Sequence, residues 1–293
     1  MNKVLTIVVT YNGMKWLQRC FTSLQQSSVP TDIMVIDNCS QDGTREYLSS
    51  LESETFKVVL SEENLGFAKA NNIGFRYAVK KGYDYIYLLN QDAWIEKETF
   101  SVLVNAFEKA KGKPFGIISP LQMKADMSGY DEQFRKHCAK AVERSTEETV
   151  DVDFVMAAHW MISMDCLKKT GAFSPSFTHY GEDDNLIDRA RFHGFRVGVN
   201  KCTKAVHDRD SRPRPKAYRM RLKVIHAKRM VSDPGRSLVL SLVTAPLWLI
   251  GMGLYHFSVD LVPATFKLIS EYSELIRNRN LSMKEGAFLE IEA

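Results

Sequence analysis

The sequence predicts an α/β fold, a mostly parallel sheet flanked by helices, and three observations carry that expectation. Short apolar runs rich in β-branched residues alternate with amphipathic stretches along the N-terminal part of the chain. The residues just past each apolar run are polar, glycine or aromatic, as at strand ends that face a ligand cleft. The chain has 293 residues, 45% hydrophobic and 25% charged, which suits one large α/β domain or two small ones and excludes a disordered chain.

Each element follows from its local pattern. Val4 to Val9 is a continuous β-branched run and reads as a strand covered on both faces. Trp16, Leu17, Cys20, Phe21 and Leu24 then recur at helical spacing. "DIMVIDN" and "FKVVLS" are further strands, separated by a helix that begins in "SQDGTREYLSSL". "NLGFAKANNIGFRYAVKKG" is a Gly/Asn-rich turn running into a helix, and "YDYIYLLN" is a fourth strand. Beyond it come a helix in "EKETFSVLVNAFEKAKG", a strand in "FGIISPLQ", and a strand then helix in "VDFVMAAHWMISMDCLKKTG", with Gly171 as its C-cap. Residues 123–149 are polar and mixed, without a readable period.

The formal net charge of +4 is too small to argue for nucleic acid, and the sequence shows no nucleic-acid motif. The five cysteines are scattered, with no C-x-x-C pair, so they read as reduced thiols rather than a disulfide framework or a zinc site. The N-terminus reads as a first strand and not as a signal peptide.

The four strand ends collect the candidate ligand-binding residues. They are Thr10, Tyr11 and Asn12, then Asp37, then Asn64 and Gly66, then Asn90, Gln91 and Asp92. In "YIYLLNQDAW" the apolar run delivers an amide and a carboxylate two residues apart, which suits either a metal site or an ordinary turn. In "GEDDNLIDRARFHG" the acids Glu182, Asp183 and Asp184 crowd the first turn of a helix. There they complement the helix dipole, or supply a general base at the rim of the cleft.

In this order and at these spacings, "VVTYN", "VIDNCSQDGT", "NLGFAKANNIG", "LLNQDAW" and "GEDDNLIDRARFHGFR" resemble the family 2 glycosyltransferases of the GT-A fold, over roughly residues 3–210. No single motif carries the resemblance; the ordered set does. It implies a nucleotide-sugar donor, UDP- or dTDP-linked, and an inverting single displacement. Thr10, Tyr11 and Asn12 match the nucleobase-contacting loop, and Asp37 matches the acid that takes the N3–H of a pyrimidine. Asn64, Gly66 and Asn71 match the motif lining nucleotide and sugar. "NQD" resembles the DxD motif, so Asp92 is the expected ligand for Mg²⁺ or Mn²⁺. Asn90 and Gln91 are placed on the donor side. Asn90 stands where an acid is usual, a variant similar to rhamnosyl- and galactofuranosyl-type bacterial members. Asp183 matches the catalytic base, with Asp184 as the alternative register, and Arg189 is expected to orient the acids. His207 matches an additional metal ligand, and His159, Trp160 and Glu182 fall on the acceptor side.

The tail is a second region. Lys or Arg occupies ten positions between Arg209 and Arg236 against two acids, and Ser237 to Val259 contains no Asp, Glu, Lys or Arg. This divides the chain into a catalytic domain, residues 1–208, and a helical, membrane-associating region, residues 209–293. The apolar run is long enough to span a bilayer, which takes about 20 residues. It can equally lie on the surface, or be covered by a second subunit in a homo-oligomer. In any spanning version the flanking cations keep the catalytic domain at the cytoplasmic face of the inner membrane. The expected acceptor is a saccharide, lipid-linked, in bacterial surface polysaccharide synthesis. The alternative is a degenerate nucleotide-binding module recruited to a membrane, which Asn90 keeps open. A nucleotidyltransferase would need a richer phosphate loop than "TYNGMKW".

Overall fold

The computed structural model of the chain describes residues 2–209, 215–258 and 260–289. Strands β1 (Val4–Thr10), β2 (Thr31–Asp37), β3 (Phe56–Leu60) and β4 (Tyr85–Asn90) are connected by helices α1 (Met14–Gln25), α2 (Thr44–Ser49) and α3 (Gly66–Lys81). These strands lie side by side as β3-β2-β1-β4, all parallel. The β-branched runs are buried because helices cover both faces of the sheet. Gly74 of α3 allows that helix to approach β1 closely: a Cβ there would stand 2.5 Å from Ile7 Cδ1.

Beyond β4 the sheet is mixed. The short β5 (Ala93–Ile95) and α4 (Thr99–Glu108) lead to β6 (Phe115–Met123), β7 (Thr149–Asp151), β8 (His159–Ser163) and β9 (Arg196–His207). Strand β8 enters antiparallel between β4 and β6, and β9 lies parallel to β6 and antiparallel to β5 and β7. Parallel pairing therefore dominates the N-terminal half rather than the whole sheet.

The stretch without a readable period folds as α5 (Glu132–Phe134), a π-helical turn at Arg135–Ala139 and α6 (Lys140–Arg144), before β7. Asp131 caps it by accepting from the backbone N–H of Gln133 and Phe134. Phe134, Cys138 and Val142 are buried at spacing four, with Ala139 beside them, too few over too short a span to announce a helix in sequence.

Helices α7 (Met164–Thr170) and α8 (Glu182–Phe192) precede β9, and α9 (Lys216–Ser232), α10 (Leu238–Tyr255), α11 (Leu261–Ser270) and α12 (Tyr272–Ser282) follow it. The last four share an apolar core of their own, built on Met220, Ala227, Met230, Leu249, Leu268 and Leu275. The chain then returns to the part built on the sheet. Ala287 accepts a backbone hydrogen bond from Ala172, and Leu289 joins the main core. All five cysteines are free. Arg212, Arg214 and Val259 of the basic and apolar runs lie outside the described residues.

Because Leu289 is buried in the main core, Leu289→Ala is expected to cost about 2–3 kcal/mol of stability in urea unfolding. Leu247→Ala, on an outward face, is expected to stay within about 0.5 kcal/mol.

Candidate active site

Strand register assembles the cleft. Thr10 is paired with Asp37 and Val9 with Asn90, so β1, β2 and β4 end along one line. Ala93 of β5 is paired with His207, which brings the end of β9 beside Asp92. His207 Nε2 stands 3.4 Å from Asp92 Oδ1 and 3.4 Å from Asn90 Nδ2. Burial works against the Asp92 charge. The hydrogen bond and charge of His207, with Arg209 nearby, outweigh it and hold the carboxyl below its ordinary range.

Gln91 ties two of the strand ends together. Its Oε1 accepts from Thr10 Oγ1 at 2.7 Å and from the Tyr11 N–H at 2.8 Å. Asn12 takes a positive φ of 49°, its N–H donates to Ser40 Oγ, and its Oδ1 accepts from the Gln41 N–H. Tyr11 is left exposed at the rim.

Several expected donor-side residues are engaged within their own turns. Asp37 is fully buried and accepts from the N–H and hydroxyl of Ser40, with Arg45 Nη1 3.5 Å away. Asn64 accepts from the Gly66 N–H, and Asn71 donates to the Phe67 carbonyl inside α3. Gly66 has a φ of +74°, and a Cβ there would lie 3.0 Å from the Thr178 carbonyl. The Asn64–Gly66 turn is thus pressed against the loop that leads into α8.

His159 and Trp160 sit on β8 and are both fully buried. His159 Nδ1 meets the Tyr87 hydroxyl and its Nε2 meets the Val206 carbonyl, each at 2.9 Å. Trp160 Nε1 donates to the Val155 carbonyl. Neither offers a polar atom to the cleft. The period of two along β8 turns one side chain to each face, and this sheet is covered on both. His159 instead packs against His207, ring centroids 6.4 Å apart, and fixes the floor beneath it.

The acid turn opens α8. Tyr180 (φ 71°) and Gly181 (φ 87°) bend the chain into the helix, and a Cβ on Gly181 would stand 2.5 Å from Ile225 of α9. Glu182 is buried, its Oε2 has no partner, and burial together with Asp184 pushes its pKa up to about 7. Asp183 is half-buried and accepts from the Asp184 N–H; burial, Asp184 and Glu182 hold its pKa well above the ordinary carboxylate range.

The cation that orders these acids is not Arg189. Arg189 is fully buried and donates to Asn185 and to the carbonyls of Thr170 and Ala172, so it braces the loop between α7 and α8. Arg229 of α9 takes that place. It grips Asp188 with Nε and Nη2 at 2.6 and 2.7 Å and donates from Nη1 to Asp184. Other cations of the basic stretch are also internally paired: Arg209 with Asp131, Lys228 with Glu271 and Arg236 with Asp233. In sequence Arg229 is one of a run of cations. Only the one-turn spacing of Asp184 and Asp188 hinted that a single partner could grip both. Asn72 was also unread; it holds both backbone polar groups of Phe173.

The donor set fits a hard divalent ion that keeps part of its shell for other oxygens. The Asp92 carboxyl is held below its ordinary range, His207 Nε2 faces it, and among the described residues the buried His207 Nδ1 has no partner. Among the described residues no three His, Cys, Asp or Glu side chains converge as a complete cage.

The chain resembles known proteins in sequence and in fold. Residues 6–141 match the sequence profile of glycosyl transferase family 2. The chain is 28% identical over 130 residues to the dTDP-rhamnosyl transferase RfbF of Shigella flexneri, covering 44% of this chain and 42% of that one. The chain spans less than half the length of the curated relatives it matches. Among solved structures it is similar to S. aureus TarS 1-349 with UDP-GlcNAc, with a TM-score of 0.62, 15% identity, and coverage of 96% of this chain and 84% of that one. It is also similar to the mannosyltransferase PcManGT from Pyrobaculum calidifontis with GDP-Man and Mn²⁺, with a TM-score of 0.52, 16% identity, and coverage of 93% and 75%. Residues 6–141 thus resemble glycosyl transferase family 2 in sequence, and the chain shares the GT-A fold of these solved transferases.

Two predictions test the acid turn. Arg229→Met leaves Asp184 and the buried Asp188 without their cation, and unfolding measurements should show a loss of about 2–4 kcal/mol. Glu182 holds its proton more tightly in the folded chain. Its contribution therefore favours folding below the ordinary pKa of 4.5 and is lost as pH rises to about 7. At pH 8, Glu182→Gln should be the more stable protein by on the order of 1–3 kcal/mol, at about 1.4 kcal/mol per pKa unit. The two proteins should converge near pH 4.

Proposed function

We propose that the protein is an inverting glycosyltransferase that moves a sugar from a UDP- or dTDP-sugar to a hydroxyl of a saccharide acceptor. The observation that carries this reading is the acid turn. Asp183 has a raised pKa in the first turn of α8, and the loop that leads into that helix is pressed at Thr178 against the Gly66 turn. A carboxyl with its pKa moved toward neutrality is suited to take a proton from an attacking hydroxyl.

In this reading Thr10, Tyr11 and Asn12 hold the nucleobase, and Asp37 reads it as a pyrimidine from within the Ser40 turn. Gln91 keeps the loops after β1 and β4 at a fixed separation. Asn64 and Gly66 bring backbone close to the donor. Asp92 and His207 would hold Mg²⁺ or Mn²⁺, whose charge offsets that on the departing diphosphate. Asn90, an amide, orients His207 or touches the donor rather than adding negative charge. The acceptor hydroxyl lies against Asp183, which takes its proton as the oxygen attacks the anomeric carbon opposite the diphosphate. The bond to the diphosphate breaks as the new one forms, and the anomeric configuration inverts. Glu182, mostly protonated below pH 7, adds no full charge that would compete with Asp183. His159 and Trp160 support this site from beneath.

The similarity to RfbF favours a dTDP-deoxyhexose donor, and the basic and apolar tail favours a lipid-linked saccharide acceptor at the cytoplasmic face of the membrane. The second reading, nucleotide binding without turnover, is favoured only by the amide at Asn90.

The test is thermal shift with UDP, dTDP, GDP and CMP, with and without Mn²⁺. A ligand at a hundredfold its Kd should add about 2.7 kcal/mol of stability. The expected result is a metal-dependent shift with UDP or dTDP that Asp92→Ala abolishes. Asp183→Asn should keep that shift and lose roughly 10²–10⁴ in kcat. The wild-type kcat should rise with pH above the ordinary carboxylate range. Binding without turnover of any donor would favour the second reading. No shift with any nucleotide would overturn both.

A further inference from the structure

We propose that the α10–α11 hairpin lies in the plane of a membrane surface, its outward apolar face among the acyl chains of a bilayer containing anionic phospholipid, and does not cross it. The inference rests on exposure, charge and packing and not on the transfer chemistry; only its bearing on the acceptor rests on the transferase reading.

Helix α10 is apolar on all sides, and its two faces have different fates. Ser241, Ala245, Leu249 and Gly253, at spacing four, are buried. On the opposite face Val239, Val243, Leu247, Ile250 and Leu254 are 43–76% exposed. Phe257 in the turn is 93% exposed, and Phe266 of α11 is 70% exposed and continues the patch. A helix facing water carries charge on that side. The described residues of this stretch, Ser237 to Ser258, have none. A continuous apolar face of this extent marks an interaction surface.

Charge and aromatic placement select lipid as the occupant. Arg236, half exposed although paired with Asp233, stands just before α10, and Lys267 is exposed on α11 between Phe266 and Ile269. Cations beside an apolar face suit anionic headgroups over acyl chains. Tyr255 and Phe257 at the hairpin turn suit the headgroup boundary.

Packing selects the in-plane arrangement. Helix α10 is packed along α9: Trp248 lies against His226, ring centroids 4.6 Å apart, and Lys223 stands 5.9 Å from the same ring. Tyr272 donates to the Leu242 carbonyl and holds α12 against α10. Helix α9 is itself clamped to α8 through Arg229. A crossing α10 would draw the cations of α9 into the hydrocarbon, or tear α10 from α9 and bare their shared core. Helix α11 has 10 residues, roughly 15 Å, too short to recross. An in-plane hairpin keeps every one of these contacts. It also brings α9, and the acid turn that α9 holds, close to the lipid surface.

The experiment is vesicle flotation of the full chain with phosphatidylcholine alone and with about 3:1 phosphatidylcholine:phosphatidylglycerol, at low and high salt. The wild type should float with the anionic vesicles and bind less in high salt. Leu247→Glu with Phe266→Glu should weaken binding by roughly tenfold or more while leaving the thermal midpoint and the UDP shift unchanged. Spin labels at Val243→Cys, Leu247→Cys and Leu254→Cys, in a Cys39→Ser, Cys202→Ser background, should report one shallow depth. Unchanged flotation of the double variant, or no flotation of the wild type, overturns the proposal. So does a label at Leu247→Cys near the bilayer centre, which would mean a spanning helix. A dimer that the double variant dissociates, with no vesicle binding, gives the surface to a second copy instead.

Discussion

Thr10 beside Asp37 and Val9 beside Asn90 are consequences of backbone pairing, not of side-chain chemistry. Parallel strands hydrogen-bonded in register must end together when their apolar runs end together. Because both faces are covered by helices, the first polar residue of each run has only one place to go, the cleft beyond the carboxyl edge. A slip of one residue between β1 and β4 would turn the buried residues of one strand to the other face and separate Gln91 from Thr10. Everything at the candidate site is hung from this edge. Gln91 bolts two of its loops, and the β5–β9 pairing swings His207 in beside Asp92.

The acid turn shows a second dependence, between regions that composition alone would separate. Glu182, Asp183, Asp184 and Asp188 crowd one end of a short helix. Desolvation and mutual repulsion raise the pKa values of the first three. Such a cluster stands only if a cation is held against it. Arg229 supplies that charge from α9, and Gly181 lets α9 approach closely enough to do so. The C-terminal helices are therefore part of the site's construction and not an appendage to it. The return of Ala287 and Leu289 to the main core ties the other end of the bundle down.

The same bundle divides its cations between two uses. Arg229, Lys228 and Arg209 neutralise carboxylates within the chain; Lys267 flanks the uncovered apolar face, and Arg236 does so while also paired with Asp233. A run of basic residues in sequence does not by itself distinguish these uses, because the distinction is made by which helix face each occupies.

Residues with a local signal were legible in the sequence. The alternating β-branched and amphipathic runs determined the strands and helices of the N-terminal half, and the ends of those runs determined Thr10, Asn90, Asp92 and the acid turn as candidates. The apolar stretch after Arg236 announced a surface that water would not cover. Tertiary structure alone decided the antiparallel entry of β8, since strand direction has no local signature. It turned His159 and Trp160 inward, because both faces of that strand are covered. It replaced Arg189 by Arg229 as the partner of the acids, because a cation's partner depends on which elements pack together across about 40 residues of chain. It also laid α10 against α9. There Trp248 meets His226 and Lys223, contacts that join positions about 22 or more residues apart and have no local signature.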